Sequence, residues 1–258
     1  PIILIAGEPN SIFFEIFFKA IKLKSYKSPL ILICCKKILL DQMKKNRFKK
    51  KLNILEFNKL KKYKFNDNNL NVIDIECKKL NKNFTIKLTN KYLEDSFELA
   101  FELIKKKISN KLINGPINKK SFLNRKFLGI TEYISERYKS NKTSMLIYNK
   151  HLSVCPVTTH LPIKLVAKHL TKKLIEEKIN IIDAFFKKNL NYKPKIAVTG
   201  MNPHCESILK FNEDDEIVSK AVIAQKKRGI YVSGPYSADT IFLKKNRDKY
   251  NVILGMYH

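Results

Sequence analysis

The sequence predicts an α/β fold built on a largely parallel sheet. Two observations carry this: short apolar runs recur along the chain, and segments with helical spacing of apolar residues lie between them. A third is the placement of the seven glycines. Gly7, Gly115, Gly129, Gly200, Gly234 and Gly255 stand at or beside the ends of apolar runs or in Pro-containing turns, where a side chain is poorly tolerated.

Taken in order, Ile2 to Ala6 is a buried-strand candidate, followed by a turn, Gly7-Glu-Pro-Asn, and by helical spacing of Ile12, Phe13, Ile16, Phe17 and Ala20 with Ser11 as a possible cap. Leu30 to Cys35 reads as a strand and Lys36 to Lys51 as a solvated helix. Asn53 to Phe57 and Val72 to Ile75 read as short strands around a polar loop, Lys59 to Asn71. Tyr92 to Ile108 keeps helical spacing, with Lys105 to Lys107 where the helix dipole favours cations. A strand from Lys111 breaks at Gly115-Pro116 and presents Asn118 and Lys119 at its C-terminal end, the edge at which open α/β sheets bind ligands.

In the second half, Gly129-Ile-Thr-Glu-Tyr133 opens a helix running through Arg137. Ser144 to Tyr148 and Leu152 to Val157 form a hairpin that delivers Thr158, Thr159 and His160. Pro162 starts the next helix. Leu174 to Leu190 is a core-facing helix that feeds a strand, Lys195 to Val198, and Glu213 to Lys227 is another helix. A strand from Val232 ends at Gly234-Pro235, with Asp239 either capping a helix from Ile241 to Asn246 or serving the site. Val252 to Tyr257 closes on His258. The length suits one large α/β domain or two joined lobes, with boundaries at 1–128 and 129–258.

The formal charge is +28. Arginine occurs only at 47, 125, 137, 228 and 247, and the lysines are spread along the chain rather than gathered on one face with aromatics. Specific nucleic-acid binding is therefore not expected. No apolar run reaches the roughly 20 residues of a membrane span. Cys34, Cys35, Cys77, Cys155 and Cys205 show no CxxC spacing. These features predict a soluble, cytoplasmic protein with reduced, mostly buried thiols.

Three of the five histidines, His160, His204 and His258, follow apolar runs; His151 and His169 read as surface residues. Such a histidine is either a satisfied structural residue or a metal ligand, and no short metal spacing decides between the two.

The ordered set Asn-Gly-Pro-Ile-Asn-Lys119, Thr-Thr-His160-Leu-Pro, Gly-Met-Asn-Pro-His204-Cys-Glu, Gly-Pro-Tyr-Ser-Ala-Asp239-Thr and Met-Tyr-His258 resembles the 4-hydroxythreonine-4-phosphate dehydrogenase family of vitamin B6 synthesis. The resemblance implies a two-lobed α/β/α homodimer, similar to isocitrate and isopropylmalate dehydrogenases, with a shared active site in the interlobe cleft. It implies His160, His204 and His258 as ligands, drawn from both subunits, of a divalent metal (Zn, Co, Mn or Mg). It also implies NAD as oxidant and a small phosphorylated substrate. Lys119 and Asp239 are then candidate catalytic residues, and Ile130 and Thr131 occupy substrate-binding positions. No GxGxxG occurs, so the NAD-binding residues stay unassigned.

This chain departs from the family pattern in three places. The family's Gly-Asp-Pro-x-Gly-x-Gly-Pro-Glu reads Gly7-Glu-Pro-Asn-Ser-Ile-Phe-Phe-Glu15, where Phe13 and Phe14 are expected to narrow any close backbone approach. The family's His-Thr-Glu reads Ile130-Thr131-Glu132, and isoleucine cannot donate a hydrogen bond. Family members also continue beyond the position of His258 with further substrate-binding Lys, Asn and Arg. The expected reaction is oxidation of 4-phosphooxy-L-threonine and decarboxylation to 3-amino-2-oxopropyl phosphate. The alternatives are the same chemistry on a phosphothreonate or phosphoerythronate, or an impaired homologue acting as a binding protein.

Overall fold

The computed structural model describes residues 1–63, 65, 68–76, 85–124, 126–140, 142–206 and 211–258. Cys77 and parts of the polar stretch 59–71 lie outside these residues. The chain divides into two compact units, Pro1–Phe127 and Leu128–His258.

The first unit runs β1 (Ile2–Ile5), α1 (Phe13–Leu23), β2 (Leu30–Cys34), α2 (Lys36–Lys45), β3 (Leu52–Ile54), β4 (Leu70–Asp74), α3 (Ile86–Lys105), β5 (Leu112–Asn114) and α4 (Lys119–Phe122). Its strands form a five-stranded sheet in the order β3-β4-β2-β1-β5, with every neighbouring pair parallel. Ile3, Ile5, Ile31 and Ile33 are fully buried, as uninterrupted apolar runs require in a sheet covered on both faces. Phe13, Phe14, Phe17 and Phe18 of α1 are all buried, and Phe18 stacks on Phe48 with ring centroids 4.4 Å apart. Phe13 and Phe14 thus pack into the core. Ser11 is not the cap residue of α1; Ile12 holds that place, and the Phe13 N–H reaches back to Ser11 Oγ at 3.4 Å. The strand expected over Asn53 to Phe57 is shorter, because the chain turns into a 3-10 helix at Phe57–Lys62.

β1 lies between β2 and β5, so the chain leaves it toward one side and later returns on the other. The loops after β1 and β5 consequently lie together. A Cβ on Gly7 (φ +75°) would sit 2.4 Å from the Pro116 carbonyl oxygen, so only glycine fits. Glu8 takes up the new position well: its N–H donates to the Pro116 carbonyl (2.9 Å) and its Oε1 accepts from the Asn118 N–H (2.8 Å).

The second unit runs α5 (Ile130–Arg137), β6 (Ser153–Thr158), α6 (Ile163–His169), α7 (Lys172–Phe185), β7 (Ile196–Thr199), α8 (Lys220–Lys227), β8 (Val232–Tyr236), α9 (Lys244–Arg247) and β9 (Val252–Tyr257). The four strands are all parallel in the order β6-β9-β7-β8. Ile175, Ile179 and Ile182 on one stripe of α7 pack with Val198, Val218 and Leu254 in this unit's core. Thr171 caps α7 by accepting from the Leu174 N–H at 3.2 Å. π-helical turns at Phe186–Leu190 and Asp214–Ser219 adjoin α7 and α8.

Two expectations in this unit are corrected. The hairpin over Ser144 to Val157 reduces to one antiparallel bridge, Ile147 to Val154. Near Ser144 the chain is engaged elsewhere: Lys178 Nζ donates to the Thr143 carbonyl, and Ser144 Oγ lies 3.0 Å from Cys155 Sγ. The helix expected from Ile241 starts at Lys244 with Leu243 at its cap, so Asp239 caps no helix. Among the described residues, no helix is long and apolar enough to cross a membrane.

Candidate functional site

Because the four strands of the second sheet are parallel, their C-terminal ends share one edge, which is where ligands bind in open α/β sheets. Read across that edge, the residues just past the strand ends are His160 after β6, His258 after β9, His204 after β7 and Asp239 after β8. The edge therefore aligns three imidazoles and a carboxylate in spatial order, although they are widely separated in sequence.

The first two meet. The His160 and His258 rings are 6.0 Å apart and nearly perpendicular, and the Thr158 hydroxyl donates to the Met256 carbonyl (2.9 Å), tying their strand ends together. His160 adopts φ +56°, the left-handed region that non-glycine residues seldom enter. Its Nδ1 lies 3.2 Å from Glu132 Oε1, which also accepts from the Thr159 hydroxyl at 2.9 Å. Burial works to raise the Glu132 carboxyl. It is outweighed by hydrogen bonds from its own backbone, from Thr159 and from His160, so the group stays below the usual carboxylate range.

His204 stands apart from this pair. Its side chain is 70% exposed and its Nδ1 is 3.8 Å from Asp239 Oδ2. The Ser237 hydroxyl beside Asp239, with His204 adding to it, holds the Asp239 carboxyl below its ordinary value. Ser237 Oγ also donates to the Pro203 carbonyl at 2.8 Å, linking the β8 and β7 loops. Within the single chain, among the described residues, no three His, Cys, Asp or Glu side chains meet closely enough to hold an ion. The reason is the five-residue path from Thr199 to His204, which turns the imidazole toward Asp239 and solvent.

Of the other expected residues, Ile130 opens α5 and is half-buried, and Thr131 beside it is exposed. Lys119 is exposed as the first residue of α4 in the other unit, after Asn118, whose Oδ1 accepts from the Ser121 N–H. His151 and His169 are exposed. Cys34, Cys35 and Cys155 are buried, and Cys205 is half-buried.

Three residues were not anticipated. Glu132 reads from sequence as an ordinary first-turn residue. Lys178 lines a cavity of about 620 Å³ with Thr131, Glu132, Ser135, Thr143 and Ser144, and burial lowers its pKa. Its signal was a lysine on the apolar stripe of Ile175, Ile179 and Ile182. Asp214 is fully buried and accepts from the Met201 N–H (2.5 Å), the Asn202 N–H (3.1 Å) and Asn202 Nδ2 (2.9 Å), which anchors the loop leading to His204.

Two parallel α/β units, one with imidazoles aligned along its C-terminal strand edge, define the class: a two-domain α/β protein with a polar site at strand ends. Residues 26–258 match the family model described as pyridoxal phosphate biosynthetic protein PdxA, and the chain belongs to this family of pyridoxal phosphate biosynthesis. It is 32% identical over 260 residues to the 4-hydroxythreonine-4-phosphate dehydrogenase of Sulfurihydrogenibium sp., covering 98% of this chain and 78% of that one. A Bacteroides thetaiotaomicron protein of the same name is 34% identical over 63% of this chain and 46% of its own length. The D-threonate 4-phosphate dehydrogenase of Pectobacterium atrosepticum is 32% identical over 62% of this chain and 52% of its own length. The match thus spans about half the length of the last two relatives. The crystal structure of the Klebsiella pneumoniae 4-hydroxythreonine-4-phosphate dehydrogenase superposes with a TM-score of 0.82 at 25% identity, over 100% of this chain and 81% of that chain.

Proposed function

We propose that this chain is a metal- and NAD-dependent 4-hydroxythreonine-4-phosphate dehydrogenase, which oxidises 4-phosphooxy-L-threonine and yields 3-amino-2-oxopropyl phosphate after loss of CO₂. The observation that carries the reading is the strand edge that presents His160, His258, His204 and Asp239 in order, in a chain of this family. The donor set fits a divalent metal. With the Nδ1 side of His160 engaged by Glu132, its Nε2 has no hydrogen-bond partner among the described residues, the His258 ring stands 6.0 Å away and nearly perpendicular, and neutral imidazoles suit such ions. His204 belongs to the same set; a homodimer that assembles the site from two copies accounts for its standing apart within one chain.

A divalent metal held by these imidazoles would supply Lewis acidity, and NAD would be the hydride acceptor. The chain's own residues do the rest. Asp239, its carboxyl held below the ordinary value, faces His204 and is placed to orient that imidazole or to accept a hydrogen bond from substrate. Thr131 and Lys119 are the polar groups that bind or steer the phosphorylated substrate, within the strongly positive field of a chain of formal charge +28.

A second reading, the same chemistry on D-threonate 4-phosphate, is favoured by Ile130. That side chain donates no hydrogen bond where the first substrate would need one, and one relative carries this activity in its name. One assay separates the two: bound metal is quantified, and NADH formation is followed with each substrate for wild type, His160→Ala and His204→Ala. The first reading requires NADH from 4-phosphooxy-L-threonine and a loss of at least about 100-fold in both variants. NADH from D-threonate 4-phosphate alone establishes the second. A wild-type protein that binds no divalent ion and reduces no NAD with either substrate sinks both.

A further inference from the structure

We infer that Glu132 is a positioning residue for His160: its carboxylate holds the imidazole with the proton on Nδ1 and so directs the Nε2 lone pair outward as a metal ligand. The inference rests on the reading of His160 as a ligand, and it is carried by the geometry around Glu132, Thr159 and His160.

A carboxylate only accepts, so at 3.2 Å the neutral His160 ring must donate to Glu132 Oε1 from Nδ1. That oxygen is itself fixed by the Thr159 hydroxyl at 2.9 Å, and Thr159 and His160 are consecutive on the loop after β6. One carboxylate oxygen therefore grips two neighbouring residues of one loop. The loop conformation that makes this possible is an uncommon one, with His160 at φ +56°.

Gly129 completes the arrangement. A Cβ there would lie 2.7 Å from Glu132 Oε2 and 2.8 Å from His160 Cε1, so carboxylate and ring both pack against bare backbone at the start of α5. Glu132 Oε2 is buried and has no hydrogen-bond partner among the described residues. A half-buried carboxylate held on the far side of a strand-end histidine is the arrangement by which ligating imidazoles are oriented and made more basic. Glu132 touches no reacting atom in this account. It acts through His160.

The test uses the full chain, first metal-free and then titrated with Co²⁺ and Zn²⁺. Nitrogen-15 spectra of the imidazoles, with the His160 signals assigned by their loss in His160→Ala, should show the Nδ1–H tautomer in wild type and in Glu132→Gln, whose amide oxygen accepts the same bond. Glu132→Ala should lose that preference. Metal affinity should fall about 10- to 100-fold in Glu132→Ala and by less in Glu132→Gln. A merely structural role would lower stability and leave the tautomer unchanged. An Nε2–H tautomer in metal-free wild type, or wild-type affinity in Glu132→Ala, overturns the proposal. Should Glu132→Ala fail to fold, the metal-free wild type and Glu132→Gln decide: an Nε2–H tautomer in either overturns it. Unchanged Co²⁺ affinity in His160→Ala would instead remove the underlying ligand reading, whereas the metal-free tautomer reports on Glu132 alone.

Discussion

Asp214 accepts three hydrogen bonds from Met201 and Asn202 while fully buried, and so ties the His204 loop to the helix that follows it. Asp214→Ala would leave those donors without their acceptor, and the expected loss is about 3 kcal/mol in urea unfolding, with weaker metal binding from a loosened His204. Lys178 offers a test by pH. Burial lowers its pKa below the ordinary 10.5, so between the folded value and 10.5 the unfolded chain binds more protons and stability rises with pH. Cys155, pushed up by burial from 9.0, contributes the opposite slope above that value. Comparing wild type with Lys178→Met isolates the lysine: the variant should lose the rising component when chemical denaturation is followed with pH up to the lysine's ordinary 10.5. Neither residue was legible as functional, because burial of a charged group shows in sequence only as an interruption of an apolar stripe.

At the scale of elements, α1 shows why a departure from the family's glycine-rich pattern is compatible with the fold. Phe13, Phe14, Phe17 and Phe18 enter the first unit's core, and the close approach of the β1 and β5 loops is kept by Gly7 and Gly115. Phe18→Ala, which removes the stack on Phe48, should cost about 3–5 kcal/mol, read as an earlier loss of helical circular dichroism in denaturant. Gly7→Ala should cost about 1–3 kcal/mol, since its Cβ would collide with the Pro116 carbonyl. Strands were the most legible elements: the runs at Ile2, Leu30 and Val252 become β1, β2 and β9 nearly residue for residue. Capped boundaries were less so. α3 starts at Ile86, well before the spacing that begins at Tyr92, because Thr85 accepts from the Leu88 N–H and nucleates the first turn.

For the whole molecule, the charge of +28 means that like charges repel across each unit. Exposed pairs such as Lys19–Glu15 and Lys91–Asp95 offset little of this. Raising ionic strength from about 0.01 M to about 0.15 M should therefore raise the melting temperature, and any association with duplex DNA should weaken steeply over the same range. By itself the sequence determined the strand and helix alternation and the histidines that follow apolar runs, because both are local consequences of side-chain periodicity and of glycine and proline at turns. Strand order was decided only by tertiary structure. β9 inserts between β6 and β7, and that placement, which depends on contacts among residues far apart in the chain, seats His258 beside His160 while leaving His204 with Asp239.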